Sequence, residues 1–299
     1  MTLSEAVRPP APTQAPASAP TAASTGAIPD EMPGAARIAG AFDRAREHGR
    51  IALVPYIVAG YPDHDASLEV ALAAADAGAD LLEIGLPYSD PLADGTTLQR
   101  ASSIALRNGA SLDQSLRLVE RIATARPELP LVPMGYSNQI LGGGDGRAIA
   151  RRLVDAGASG LIVADLTPDE GGPFESVARD AALAVVYLVA PTTAPERRAM
   201  IARRTSGFLY CVSLVGVTGA RATLPTAVSR LVRDVKAVSP VPVGVGFGVS
   251  RPAHVRALLR AGADGVIVAS ALVDALGEDG RDVTRLERLV VALGAATAR

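Results

Sequence analysis

The amino-acid sequence predicts an α/β protein of the (β/α)8 barrel class, folded as a single domain. From about residue 51, short β-branched runs alternate with segments of helical length that are rich in Ala, Leu and Arg, a pattern typical of βα units around a parallel sheet. Eight such runs favour a closed barrel. An open doubly wound sheet usually has fewer strands and a phosphate-binding glycine turn after its first strand, where this chain has AGYPD. The runs are ALVPYIV from residue 52, DLLEIG from 80, PLVPM from 130, SGLIVAD from 159, AVVYLV from 184, GFLYCV from 207, VPVGVGFG from 241 and DGVIVAS from 264.

Length and composition support one large core. The chain has 299 residues, of which 48% are hydrophobic and 20% charged, and about 250 residues is a normal size for one barrel. We assign the barrel to residues 36–299. Residues 1–35 hold seven of the 22 prolines among many Ala, Ser and Thr, without the apolar centre of a signal peptide, so we expect a disordered tail.

Charge and cysteine content exclude several kinds of partner. The net charge is -2, which argues against binding to a nucleic-acid backbone. The single cysteine, Cys211, and the three scattered histidines form no metal-ligand pattern, so we expect no metal site and a reducing cytoplasm. Charged residues interrupt every long apolar stretch, so we expect no membrane span.

A weak internal repeat marks the helix-to-strand turns. DAGAD at 76–80, DAGASG at 155–160 and RAGADG at 260–265 each precede a predicted strand. The central glycines, Gly78, Gly157 and Gly262, can adopt the left-handed conformation that ends a helix. We interpret this repeat as structural.

Two carboxylates could carry chemistry. Glu83 lies in the otherwise apolar strand LLEIG, where burial would raise its pKa and let it transfer protons near neutral pH; a concealed ion pair is the equally weighted alternative. The following loop, 87–99, contains Asp90 and Asp94. It exceeds the usual length of about two to six residues for a βα connection, which is typical of binding loops, although both aspartates could simply cap turns.

Small residues late in the chain suggest a phosphate site. They are GVTG at 216–219, GFGVS at 246–250 and Ser270, which opens a short helix. In barrel enzymes, the loops after strands 7 and 8 and the start of a short extra helix commonly bind phosphate through backbone N–H groups. Each glycine alone is equally well explained by a tight turn.

Three segments of the sequence are distinctive enough to indicate a single protein family. LLEIGLPYSDPLADG, YCVSLVGVTGAR and VGFGVSRPAHV resemble, in order and spacing, the signature segments of the tryptophan synthase alpha subunit family, and the likeness covers about residues 37 to 295. The resemblance implies a TIM barrel that cleaves indole-3-glycerol phosphate to indole and glyceraldehyde 3-phosphate. It makes Glu83 and Asp94 the catalytic pair: Glu83 protonates C3 of the indole, and Asp94 stabilises positive charge at the ring N–H while a retro-aldol cleavage proceeds without a metal or organic cofactor.

The resemblance also implies binding residues. The indole slot would be lined by apolar and aromatic side chains, with ordinary barrel filling nearly as good an explanation for Ile162 and Met134. The lining residues are Tyr56, Leu98, Met134, Tyr136, Ile162, Tyr210 and Phe247, with Thr218 on a loop closing over Asp94. The phosphate would contact Gly219, Gly248, Ala269 and Ser270.

A partner is implied as well. Pro87, Asp90 and Asn138 match positions at the interface with the pyridoxal-phosphate-dependent beta subunit, which would assemble with this chain as an α2β2 heterotetramer. Three features depart from the family pattern: Thr96 replaces a usual proline, Leu214 and Val215 replace a frequent polar pair, and Ala269 replaces a usual glycine. Because glycine permits a positive φ or a close backbone approach, we expect Ala269 to weaken phosphate contact somewhat.

Other functions remain open at the sequence level. A free-standing indole-3-glycerol phosphate lyase would use the same site without a beta subunit. Another phosphate-binding barrel would more often have a Schiff-base lysine, whereas the sole lysine, Lys236, is expected on an outer helix. A catalytically silent activator of a beta subunit would not need to retain both Glu83 and Asp94.

Overall fold

The predicted barrel is confirmed. The computed structural model describes residues 32–212, 226–246 and 248–299, and in this part of the chain nine parallel strands form one sheet in the order β5-β4-β3-β2-β1-β9-β8-β7-β6. The strands are β1 (Ala52–Val58), β2 (Leu82–Gly85), β3 (Leu131–Gly135), β4 (Gly160–Val163), β5 (Ala184–Val186), β6 (Leu188–Val189), β7 (Leu209–Val212), β8 (Val243–Gly246) and β9 (Gly265–Val268). The strand residues are apolar and buried, except that β2 contains the buried Glu83 and that Leu188 of β6 is only partly buried. The sheet therefore has the composition of a parallel barrel rather than of an exposed antiparallel sheet.

Helices surround the sheet and connect its strands. Within the described residues they are α1 (Pro33–Glu47), α2 (His64–Asp76), α3 (Thr96–Arg107), α4 (Leu112–Ala125), α5 (Ser137–Leu141), α6 (Gly146–Asp155), α7 (Pro168–Asp180), α8 (Pro195–Arg204), α9 (Thr226–Lys236), α10 (Pro252–Ala261), α11 (Ser270–Ala275) and α12 (Val283–Ala295). Lys236 is the last residue of α9, on the outer layer as expected.

The fifth predicted strand is split where the barrel closes. The run AVVYLV forms β5, which pairs with β4, and β6, which pairs with β7, and Tyr187 lies between them. The N–H of Tyr187 donates to the Thr205 hydroxyl at 2.9 Å, and the N–H of Val185 donates to the Ser206 hydroxyl at 2.8 Å. Because side-chain hydroxyls replace ladder partners here, the strand is interrupted but its buried N–H groups remain bonded.

Helix α1 covers the amino-terminal ends of the strands. It starts at Pro33, and Gly34 donates its N–H to the carbonyl of Ala182 at 3.1 Å. A Cβ at Gly34 would lie 2.1 Å from the carbonyl oxygen of Ser159, so glycine is required for this close packing. The domain boundary at residue 36 stays a prediction, and α1 begins three residues before it. Disorder of the preceding tail stays a prediction, as residues 1–31 lie outside the described residues.

The internal repeat ends helices as predicted and also ties strands together. Gly78, Gly157 and Gly262 have φ values of 106°, 92° and 93°. Two residues beyond the first glycine, Asp80 accepts the N–H of Leu53 at 2.8 Å and binds Arg50 through two nitrogens.

The third copy of the repeat has the same arrangement. Asp264 accepts the N–H of Val243 at 2.7 Å and binds Lys236 at 2.6 Å. The second copy has Ser159 instead, whose buried hydroxyl has no hydrogen-bond partner among the described residues. Each aspartate thus joins the start of one strand to the backbone of the preceding one.

We predict that Asp80→Ala lowers the free energy of unfolding by about 1–3 kcal/mol, because it leaves the Leu53 N–H and the Arg50 guanidinium without their acceptor. The matched control is Asp76→Ala, four residues earlier, which removes an ion pair with Arg126 whose side chains are 56% and 39% exposed. Asp76→Ala should lower the free energy of unfolding by less than about 1 kcal/mol. Urea unfolding of both variants makes the comparison, and equal losses would contradict a structural role for Asp80.

Candidate active site

Glu83 is a fully buried carboxyl group inside the barrel. It lies in β2, where its backbone is in register with Tyr56 of β1 and Val132 of β3, and it is 0% exposed. Neither carboxyl oxygen has a hydrogen-bond partner among the described residues. Burial in this apolar setting, and secondarily the charge of Asp94, raise the pKa of Glu83 from 4.5 to about 8. The group therefore keeps its proton at neutral pH.

Asp94 reaches the same place from the loop that follows β2. The loop is shorter than predicted, because α3 begins at Thr96 and converts the end of segment 87–99 into helix. Asp94 is half-buried, and the N–H of the preceding residue, Ala93, donates to the Tyr136 hydroxyl at 3.0 Å. Burial raises the pKa of Asp94 to about 6, and the interaction with the Tyr136 hydroxyl opposes that rise.

The two carboxyl groups lose their protons in a defined order. Asp94 ionises first, while Glu83 is still neutral, so its pKa is set by burial and by Tyr136. Glu83 must then ionise beside a charged Asp94, which adds to the cost of its own burial. Near pH 7 the site therefore holds one neutral acid and one carboxylate, the arrangement that assigns different tasks to paired carboxyl groups.

Two tyrosine side chains fill the space around this pair. A Cβ on Gly85 would lie 1.9 Å from the Tyr56 hydroxyl oxygen, and a Cβ on Gly246 would lie 2.3 Å from that of Tyr210. Glycines at these strand ends thus make room for both phenols. Burial and the nearby carboxylates raise the pKa of Tyr56 and of Tyr210 well above 10, so both phenols stay neutral.

The structure brings part of the predicted indole slot together. Met134 is in register with Gly85 on one side and Ile162 on the other, next to the strand that carries Glu83. Leu98 is buried on α3, directly after the Asp94 loop. Contact of these residues with substrate stays a prediction. One predicted member of the slot, Phe247, and Thr218 of the loop predicted to close over Asp94 lie outside the described residues.

The predicted phosphate residues are partly described. Gly248 has a φ of 78° and open space at its Cβ position, and Ser270 is the first residue of α11. Ala269 has a φ of -118° and a ψ of -86°, so its backbone does not have the positive φ that we expected glycine to provide. The positive-φ reason for expecting weakened phosphate contact is therefore wrong, and the close-approach reason stays a prediction. Gly219, like Leu214 and Val215, lies outside the described residues.

The predicted interface residues differ in accessibility. Asp90 and Asn138 are exposed, whereas Pro87 is buried and its carbonyl accepts the Gln139 side-chain amide at 2.8 Å. Pro87 therefore offers little surface to a partner. Its role in the isolated chain is to fix the start of the Asp94 loop.

Sequence reasoning missed Tyr88 and the bond from the N–H of Ala93 to the Tyr136 hydroxyl. The rings of Tyr88 and Tyr136 are stacked with centroids 5.2 Å apart. The signal was present, since both tyrosines follow adjacent strands, β2 and β3, whose carboxyl ends meet at the mouth of the barrel.

Clustered metal ligands and membrane-spanning helices are both absent from the part of the chain that the structure describes. Among residues 32–212, 226–246 and 248–299, no group of three or more His, Cys, Asp or Glu side chains is arranged to hold a metal ion. In the same residues, none of the helices has the length and hydropathy needed to cross a bilayer.

Comparisons with known proteins agree with the resemblance. A family model described as tryptophan synthase alpha chain matches residues 42–297. The tryptophan synthase alpha chain of Roseiflexus castenholzii is 46% identical over 241 residues, which is 81% of this chain and 92% of that protein. The alpha chain of Mycobacterium intracellulare is 42% identical over 87% of this chain and 94% of its own length. A solved structure of Mycobacterium tuberculosis tryptophan synthase superposes with a TM-score of 0.81 at 42% identity, over 88% of this chain and 98% of that one. The chain belongs to the tryptophan synthase alpha chain family.

Proposed function

We propose that Glu83 and Asp94 carry out the lyase reaction of this family, the cleavage of indole-3-glycerol phosphate to indole and glyceraldehyde 3-phosphate. The observation that supports this assignment is the difference in protonation between the two groups. The pKa of Glu83 is about 8 and that of Asp94 is about 6, so one acid and one base coexist near neutral pH. General acid catalysis is most effective when the pKa of the acid lies near the working pH.

Glu83 begins the reaction as a proton donor. It transfers its proton to C3 of the indole ring, which converts the ring into a positively charged indolenine. The ionised carboxylate of Asp94 accepts a hydrogen bond from the ring N–H, where this positive charge develops. A carboxylate held in a site with little water stabilises such charge strongly, because it needs no reorganisation during the reaction.

Bond cleavage then returns the electrons to the ring. The hydroxyl on the carbon attached to C3 loses its proton and becomes the aldehyde of glyceraldehyde 3-phosphate. The electron pair of the broken carbon-carbon bond restores the indole. One proton enters at C3 and one leaves the hydroxyl, so ionised Glu83 is a suitable acceptor for the second proton and is regenerated as an acid.

Binding of the phosphate and of a partner completes the proposal. Gly248, Ala269 and Ser270, at the ends of the last two strands, are placed to contact phosphate through backbone N–H groups, as is common in barrel enzymes. A beta subunit that holds pyridoxal phosphate would bind at the exposed Asp90 and Asn138, in an α2β2 assembly, and consume the indole. We propose that this chain itself needs no cofactor and works in the cytoplasm.

Indole release from indole-3-glycerol phosphate, with and without a tryptophan synthase beta subunit, tests this function. We expect activity that rises when the beta subunit is added. Full activity of the chain alone, unchanged by the partner, would indicate a free-standing lyase. Absence of indole in both cases would contradict the lyase assignment and favour a silent activator.

We predict that Glu83→Gln abolishes indole formation while the variant still folds and binds substrate, because the amide keeps the shape of the side chain but transfers no proton. Steady-state kinetics and the affinity for glycerol 3-phosphate should be measured together. Substantial residual turnover would remove Glu83 from the mechanism.

We predict that Asp94→Asn lowers kcat by at least about 100-fold, the scale for losing one preorganised electrostatic group. The control is Asp90→Asn in the same loop, at an exposed position, which should leave kcat nearly unchanged at saturating beta subunit. If Asp94→Asn weakens only the affinity for the beta subunit, Asp94 belongs to the interface and not to the catalytic pair.

A further inference from the structure

The loop between β2 and α3 is attached to the segment that follows β3. The Gln139 amide donates to the carbonyl of Pro87 at 2.8 Å, and the Asn138 amide donates to the hydroxyl of Tyr88 at 3.0 Å. At the other end of the loop, the N–H of Ala93 donates to the Tyr136 hydroxyl at 3.0 Å. Both ends of the loop are thus tied to a short stretch of chain that begins at a strand end.

The Tyr136 hydroxyl interacts with two adjacent residues of this loop. It accepts from the N–H of Ala93 at 3.0 Å, and it interacts with the carboxyl group of Asp94, whose pKa it lowers. Because the Ala93 bond fixes the loop immediately before Asp94, it holds the Asp94 side chain beside the Tyr136 hydroxyl. Tyr136 is 5% exposed, so water competes little for these interactions.

Tyr88 covers the ring of Tyr136. The two rings are stacked with centroids 5.2 Å apart and an interplanar angle of 24°. Tyr88 is only partly buried, and its hydroxyl is held by Asn138 on the far side of the stack. The ring of Tyr136 therefore cannot swing away from Asp94 without separating from Tyr88.

We propose that Tyr88 is a positioning residue for catalysis: by stacking on Tyr136, it keeps the Tyr136 hydroxyl bonded to the N–H of Ala93 and next to the carboxyl group of Asp94. The inference rests on the proposed function, because it requires Asp94 to act in the reaction. Tyr88 itself does not need to touch the substrate. Stacked aromatic pairs contribute about 0.5–1.5 kcal/mol beyond the area they bury, which is enough to bias one ring orientation over another.

The effect on Asp94 has a defined sign. The Tyr136 hydroxyl lowers the pKa of Asp94 against the rise caused by burial. Among the described residues, the other titratable groups near this carboxyl are Glu83 of β2 and the phenols of Tyr56 and Tyr210, all neutral when Asp94 ionises. Asp165 acts on Tyr136 from the loop after β4 and is unchanged in sequence in every Tyr88 variant. Loss of the stack should therefore raise the pKa of Asp94.

The test compares Tyr88→Leu, which removes the ring, with Tyr88→Phe, which keeps it and removes only the hydroxyl. Indole formation is measured at saturating beta subunit, so that any weakened assembly is compensated. We expect Tyr88→Leu to lower kcat by about 10-fold with KM changed by less than about twofold, as for a misplaced catalytic group. The acid limb of kcat/KM should move to higher pH. Tyr88→Phe should restore kcat to within about threefold of the parent.

A double-mutant cycle with Asp94→Asn separates this role from general loosening of the loop. If Tyr88 acts through Asp94, Tyr88→Leu should have little further effect on kcat once Asp94 is asparagine. An equal loss in both backgrounds would overturn the proposal, as would an unshifted acid limb. Tyr88→Met provides a second ring-free variant if leucine is not accommodated. Unchanged kcat in Asp94→Asn alone would instead contradict the proposed function.

Discussion

The site depends on keeping the carboxyl group of Glu83 out of water and without a hydrogen-bond partner among the described residues. Such a group is stable only when it is protonated, and its pKa is accordingly raised from 4.5 to about 8. The folded chain therefore binds a proton that the unfolded chain releases between these values. The contribution of this group to the free energy of unfolding is fully present below pH 4.5. It decreases by about 1.4 kcal/mol per pH unit as the pH rises from 4.5 toward 8. An enzyme that works near neutral pH thus retains an acid at a cost in stability.

The remaining architecture maintains that environment and places a second carboxylate beside it. The barrel strands surround Glu83 with apolar side chains. Because Gly85 and Gly246 have no Cβ, the phenols of Tyr56 and Tyr210 fit beside them. These neutral rings occupy space that water would otherwise fill. The loop after β2 is the element that brings Asp94 to this pocket. A rigid strand holds the neutral acid Glu83, and a loop held by hydrogen bonds carries the carboxylate of Asp94.

The sequence predicted most of the fold because barrels repeat one simple unit. Eight apolar runs and three helix-ending glycines were sufficient to place the strands, with β2 carrying Glu83. Closure of the barrel at Tyr187 was not predictable, because the hydroxyls that replace its ladder partners come from Thr205 and Ser206, which are distant along the chain. The backbone angles of Ala269 could not be predicted either. A glycine at this position in other family members does not show which φ the chain adopts in this one. The proposed catalytic pair, Glu83 and Asp94, was predicted from the motif resemblance, whereas the stack of Tyr88 on Tyr136 depends on contacts between two strand ends.

The pKa of Glu83 in the folded protein tests this account most directly. The chain, labelled with glutamate that carries ¹³C in its side-chain carboxyl group, should be titrated by NMR, with Glu83→Gln used to identify the resonance. We expect one glutamate carboxyl to titrate near pH 8 in the parent and to be absent from the variant. A Glu83 resonance that titrates near pH 4.5 would show that the group is hydrated or paired, and would contradict its role as the neutral acid of the site.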